Sequence, residues 1–165
     1  MKVLLAIDGS KHSATAMDEV AARQWPPGTE VKILTVIHPG TPLLVDPAFV
    51  LAAAYVQTTQ DLRQHAPELL ATAAERIRRG RPDLRVTTMV LEGSPRDVIV
   101  QEAADWGADL IVLGSHGHGP IRQALLGSVA TGVAADALCA VEIIRAGRRP
   151  ITSSYRGRDV ALKGE

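Results

Sequence analysis

Two hydrophobic rhythms alternate along the chain. Short aliphatic runs recur as VLLAI (3–7), VKILTVI (31–37), LRVTTMVL (84–91), DLIVLG (109–114) and AVEII (140–144). Between them lie segments in which apolar residues return every three or four positions. After Ser10, the residues Ala14, Met17, Val20 and Ala21 share one helical face. A long Ala- and Leu-rich helical pattern runs from about Phe49 to Arg79, with Pro67 placed to kink or break it. Ser94 and Pro95 suit the cap and first turn of another helix, with Ile99, Ala103 and Ala104 inward and Gly107 at its end. Gly127-Ser128 opens a last helix that reaches about Ala137.

Strand, helix, strand, repeated, predicts an α/β fold: a single-domain open parallel five-stranded sheet with helices on both faces. The strand segments are nearly continuous apolar runs, as strands covered on both faces are. Residues 1–146 form the predicted domain, and 147–165 form a polar, arginine-rich tail to which no chemistry is assigned. The segment from Pro39 to Pro47, with Gly40 and Pro42 inside it, reads as a loop. It follows the carboxyl end of the second strand and so lies near the ligand face of such a sheet.

Composition narrows the class. Aromatic residues are only 3% of the chain, so Ala, Val, Leu and Ile must fill the core. The formal net charge is zero, which gives no electrostatic case for nucleic acid or an anionic membrane as a partner. The opening KVLLAI meets Asp8 too soon for a secretion signal, and FVLAAAYV (49–56) is too short to cross a bilayer. A cytoplasmic protein is expected. Cys139 is the single cysteine, which excludes an intrachain disulfide; within ALCAVEII it reads as a small buried hydrophobe.

Ligands of parallel α/β sheets bind outside the carboxyl ends of the strands. There the chain places Asp8-Gly9-Ser10, then Val36-Ile37-His38-Pro39, and then GSHGHGPIRQALLGS (114–128). Glycine lets an anion approach the backbone, and a helix N-terminus offers unpaired N–H groups and positive potential. A phosphate chain is the natural ligand, with the Ser128 hydroxyl as a further donor. No lysine precedes Ser128 as a P-loop requires, and Arg122 stands where GxGxxG needs its third glycine. The half-matched hydrolase elbow around Ser115 lacks the later histidine, because none follows His118. His12, His116 and His118 have no carboxylate or cysteine cluster to complete a metal site, so magnesium held through the ligand's own phosphates is the expected metal. The run Arg76, Arg78, Arg79, Arg81 reads as a solvated helix end.

The spacing Gly114-x2-Gly117-x9-Gly127-Ser128 resembles the nucleotide-binding pattern of the universal stress proteins, in their ATP-binding branch. The resemblance runs from Lys2 to about Arg145. It includes KVLLAIDGS, VKILTVIHP, EGSPRDVIVQEAADWGADLIVLGSHG and GSVA. It implies strand order 3-2-1-4-5, with the switch between strands one and four. It implies ATP as ligand, with Asp8 beside the ribose and phosphates and Val36 reading the adenine edge through its backbone. Gly114 and Gly117 would approach the phosphate chain, Arg122 would face the terminal phosphate, and Gly127 and Ser128 would close on its far end. It also implies a homodimer through strand five. Here the chain departs from the pattern: Cys139-Ala140-Val141-Glu142 stands where family members often have proline after the cysteine and an aliphatic residue in place of the glutamate. A charge on an edge strand works against pairing.

With no Walker lysine, arginine finger motif or assigned general base, the pattern points to a stress-response or signalling module that binds adenine nucleotide with little turnover. Two other readings stay open. One is a slow ATPase or a phosphoryl or nucleotidyl transferase using Asp8 with His116 or His118. The other is a sensor of AMP or a cyclic adenine nucleotide.

Overall fold

The aliphatic runs form strands β1 (Lys2–Ala6), β2 (Glu30–Ile37), β3 (Arg85–Glu92), β4 (Leu110–Gly114) and β5 (Ala140–Ile144). The periodic segments form helices α1 (Lys11–Ala22), α2 (Ala48–Gly80), α3 (Pro95–Trp106) and α4 (Ser128–Asp136). The computed structural model describes residues 1–38, 48–117 and 126–146, and their side chains except those of 48–62. The strands pair in parallel in the order β3-β2-β1-β4-β5, as predicted.

Alternation along each strand feeds two cores. On one face Val3, Leu5, Val31, Ile33 and Val112 pack with Met17 and Val20 of α1 and Ala73 and Ile77 of α2. On the other, Leu4, Ala6, Leu34, Ile111 and Leu113 pack with Ile99 and Ala103 of α3 and Ala130 and Val133 of α4. The central β1 is therefore buried on both sides, and its apolar continuity follows from that. The edge strand β3 departs from the expectation of a strand covered on both faces: Arg85, Thr87, Thr88, Val90 and Glu92 are exposed.

Other expectations change in detail. The buried face of α1 is Ser13, Ala16, Met17 and Val20, whereas Ala14 and Ala21 are half-buried. Small residues at 13 and 16 let this helix lie close to β4, and Ser13 satisfies its buried hydroxyl by donating to the Ser10 carbonyl at 3.0 Å. Pro67 lies inside α2 without ending it. Ala66, Leu70, Ala73, Ala74 and Ile77, buried around and beyond it, hold the helix against the cost of the missing N–H. Ala104 is exposed, leaving Ile99 and Ala103 as the buried positions of α3. Ser94 occupies its N-cap position without a side-chain bond, and Gly107 ends it in the left-handed conformation (φ 69°). Cys139 is half-buried rather than buried; loss of solvation, then the nearby Asp109, push its thiol up, away from a reactive thiolate. The loop at 39–47 and the tail at 147–165 lie outside the described residues. Among the described residues no helix is long and apolar enough to cross a membrane.

At the sheet edge, the charge of Glu142 on β5 is met within the chain. Arg23 donates to both its carboxylate oxygens, at 2.7 and 2.5 Å. The guanidinium also bonds Glu19 and lies 5.1 Å from the Trp25 ring centroid. Pairing with Glu142, foremost, raises the Arg23 pKa further above its usual range.

Candidate functional site

From β1 the chain crosses to α1 on one face of the sheet; from β4 it crosses to α4 on the other. The two strands are neighbours, so their carboxyl ends open a gap where the connections part. A cleft of about 410 Å³ lies there, a size usual for small-molecule sites. Ala6, Leu34, Ile99 and Leu113 give it an apolar lining, and Asp8, Gly117 and Ser128 stand among its polar lining.

Asp8 follows β1 and is exposed at the cleft, where its Oδ1 accepts from the Ser10 N–H at 3.0 Å. Ser10 caps α1 by accepting from the Ser13 N–H at 3.2 Å, and its hydroxyl donates to the His116 carbonyl at 3.3 Å. This one residue ties the turn after β1 to the glycine loop after β4. The loop is held again where the Gly127 N–H donates to the Ser115 carbonyl and the Ser115 N–H to the Ile144 carbonyl, both at 2.8 Å.

Each glycine answers to a different neighbour. A Cβ on Gly114 would fall 2.7 Å from the His12 carbonyl carbon and 2.8 Å from the Ser13 nitrogen. A Cβ on Gly117 would fall 2.5 Å from Oδ2 of Asp8, and one on Gly127 3.2 Å from the Ser115 carbonyl oxygen. Gly114 thus serves helix packing, whereas Gly117 keeps the loop backbone bare beside Asp8 at the cleft.

Val36 contributes through its backbone as well as its side chain. In a parallel strand, alternate residues direct their N–H and C=O to the same side. The Leu34 carbonyl accepts from Ile7 on the β1 side, and the Ile37 carbonyl accepts from Gly93 on the β3 side. The peptide groups of Val36 therefore face the β1 side, beyond Ala6, the last residue of β1, and its residue lines the cleft. Two helices also begin here. Pro95 at the head of α3 and Ser128, Val129 and Ala130 at the head of α4 line the cleft, and neither helix has a side-chain cap. Their first N–H groups carry positive potential toward it.

Asp8, Val36, Gly114, Gly117, Gly127 and Ser128, singled out in the sequence, all line this one cleft; Arg122 and His118 lie outside the described residues. Sequence reasoning missed the side supplied by α3, Pro95 and Ile99. The available signal was the helix start directly after β3, which puts a second N-terminus at the ligand face. It also missed the Ser10 tie. Among the described residues no three His, Cys, Asp or Glu side chains gather to hold a metal ion.

The universal stress protein family model matches residues 1–145. Universal stress protein YxiE of Bacillus subtilis is 29% identical over 150 residues, covering 87% of this chain and 98% of that protein. Among solved structures, protein MJ0577 of Methanocaldococcus jannaschii superposes with a TM-score of 0.72 at 24% identity, covering 90% of this chain and 96% of that one. A universal stress protein solved in complex with cAMP superposes with a TM-score of 0.62 at 23% identity, covering 88% and 96%.

Proposed function

This chain belongs to the universal stress protein family, and on that premise we propose that it is a cytoplasmic ATP-binding stress-response or signalling module. The observation that carries the reading is the convergence of Asp8, Val36, Gly117, Gly127 and Ser128 on one cleft headed by two helix N-termini without side-chain caps. The cleft fits the parts of the nucleotide in turn. Leu34, Ala6 and Ile99 offer an apolar surface to the adenine, and the Val36 peptide offers one donor and one acceptor to its edge. Asp8 suits a ribose hydroxyl. The loop backbone at Gly117 and the head of α4 suit the phosphates. Bound magnesium would neutralise phosphate charge, held mainly by the phosphates themselves.

In this reading the nucleotide is held rather than consumed. Rapid hydrolysis needs a positioned water, a group that orients it and charge stabilisation at the terminal phosphate. Asp8 is committed to the turn after β1 and to the ribose, which leaves no assigned base. ADP release from saturating magnesium-ATP is expected far below ~1 per second, the low end of typical enzymes. Turnover at or above that value, lost in His116→Ala, overturns the binding reading in favour of a phosphoryl-transfer enzyme. A second reading, an adenine monophosphate or cyclic nucleotide as ligand, is favoured by the cAMP-bound relative. Calorimetric titration with ATP, AMP and cAMP ranks the two.

The proposal extends to a homodimer through β5. This strand is a sheet edge, Leu138 just before it is 90% exposed, and Arg23 already meets the charge of Glu142. Light scattering at micromolar concentration is expected to give twice the chain mass. A monomer there removes the dimer from the proposal.

A further inference from the structure

Two short segments of chain meet at the mouth of the cleft. Asp8-Gly9-Ser10 follows β1, and Ser115-His116-Gly117 follows β4. The two strands pair as far as Ala6 and Leu113, so the parallel ladder stops short of both segments. The Ser10 side chain bridges them where the ladder has ended. It accepts from the Ser13 N–H at 3.2 Å and donates its one proton to the His116 carbonyl at 3.3 Å. Ser10 is only 8% exposed, so water competes little for this bond.

The same residue also fixes Asp8. Its backbone N–H donates to Asp8 Oδ1 at 3.0 Å. Next after His116 comes Gly117, where an added Cβ would fall 2.5 Å from Asp8 Oδ2. The carboxylate suited to a ribose and the bare backbone suited to phosphates are thus set against each other through Ser10. These bonds differ in what they require. Any residue but proline supplies the N–H to Asp8. The cap of α1 prefers a side-chain oxygen, but glycine replaces it at small cost and alanine at a larger one. The bond to His116 needs a hydroxyl, which alanine and glycine both lack.

We propose that Ser10 is a positioning residue of this cleft, whose hydroxyl holds the glycine loop at the distance from Asp8 that a nucleotide spans. The proposal rests on the nucleotide reading above and assigns to Ser10 the pre-ordering of its phosphate side. Without the bond, the loop must be ordered by the ligand itself, at a cost in affinity. Loss of one such hydrogen bond is expected to weaken ATP binding roughly threefold to tenfold. Adenosine has no phosphate to meet the loop, and the bond to Asp8 survives, so its affinity is expected to stay unchanged.

The test is calorimetric titration of ATP and adenosine on the wild type and on Ser10→Ala, Ser10→Gly and Ser10→Thr, beside melts of each protein without ligand. The alanine and glycine variants are expected to lose that same factor for ATP and nothing for adenosine, although glycine, the better cap, melts higher. Ser10→Thr keeps both cap and hydroxyl and is expected to bind ATP as the wild type does. A purely structural role would instead make ATP affinity follow the melting temperature. Should Ser10→Ala fold poorly, Ser10→Gly and Ser10→Thr carry the comparison. Wild-type ATP affinity in a folded variant without the hydroxyl, an equal loss for ATP and adenosine, or Ser10→Thr as weak as Ser10→Gly overturns the positioning role and leaves nucleotide binding standing. No binding of either ligand to the wild type overturns the nucleotide reading and this inference with it.

Discussion

Gly117→Asp is expected to weaken ATP binding by at least roughly a hundredfold, about 2.7 kcal/mol, and to leave the fold intact. A Cβ at this position would lie 2.5 Å from Oδ2 of Asp8, with no backbone atom in contact. The substituted side chain must therefore push Asp8 aside, and it sets a second carboxylate next to the first. Like charges at such range repel each other and any incoming phosphate. The fold has little to lose, because Gly117 is exposed and belongs to no helix or strand. Nor does its backbone demand glycine, since its φ is not among the positive ones. Calorimetric titration of wild type and variant, beside their thermal melts, checks both halves. Wild-type affinity in a folded variant removes the phosphate-loop assignment.

The alternation of strands and helices was open to a reader of the sequence because each element carries its own periodicity. AVEII matches β5 to the residue, and the other strands begin within one residue of their aliphatic runs. The cleft was legible for a related reason. Ligand sites of parallel sheets follow from strand ends, so Asp8, Val36 and the glycine loop could be placed together before their distances were known. What stayed hidden were partners distant in the chain. Arg23 and Glu142 stand 119 residues apart, and no local pattern pairs them. Glu142 alone reads as an obstacle at an edge; with Arg23 it is half of an ion pair tying β5 to the residue after α1. The face of α1 was misjudged by a similar limit. Helical spacing marks Ala14 as readily as Ala16, and the close approach to β4 selects between them. Spacing also could not say why each glycine was there.

Gly114→Ala is expected to destabilise the protein by about 2–3 kcal/mol, lowering Tm by roughly 5–10 °C, although Gly114 belongs to the same motif as Gly117. Here the added methyl meets backbone. It would lie 2.7 Å from the His12 carbonyl carbon, 2.8 Å from the Ser13 nitrogen and 2.9 Å from the His12 Cβ. A flexible side chain can swing away from such a contact, but the first turn of α1 cannot. Ser10 caps that turn, and Met17 and Val20 anchor the same helix in the core. The other partner is equally fixed, because β4 is hydrogen-bonded between β1 and β5 and Gly114 pairs with Ile144. Relief must come from shifting α1 off the sheet, which loosens packing around Ala16 and Met17 and carries the Asp8–Ser10 turn with it. Nucleotide affinity is then expected to fall as a consequence of lost stability, with the unliganded protein already less stable in denaturant. A melt of the nucleotide-free variant at the wild-type temperature, with binding nevertheless lost, would mean that position 114 touches ligand rather than helix.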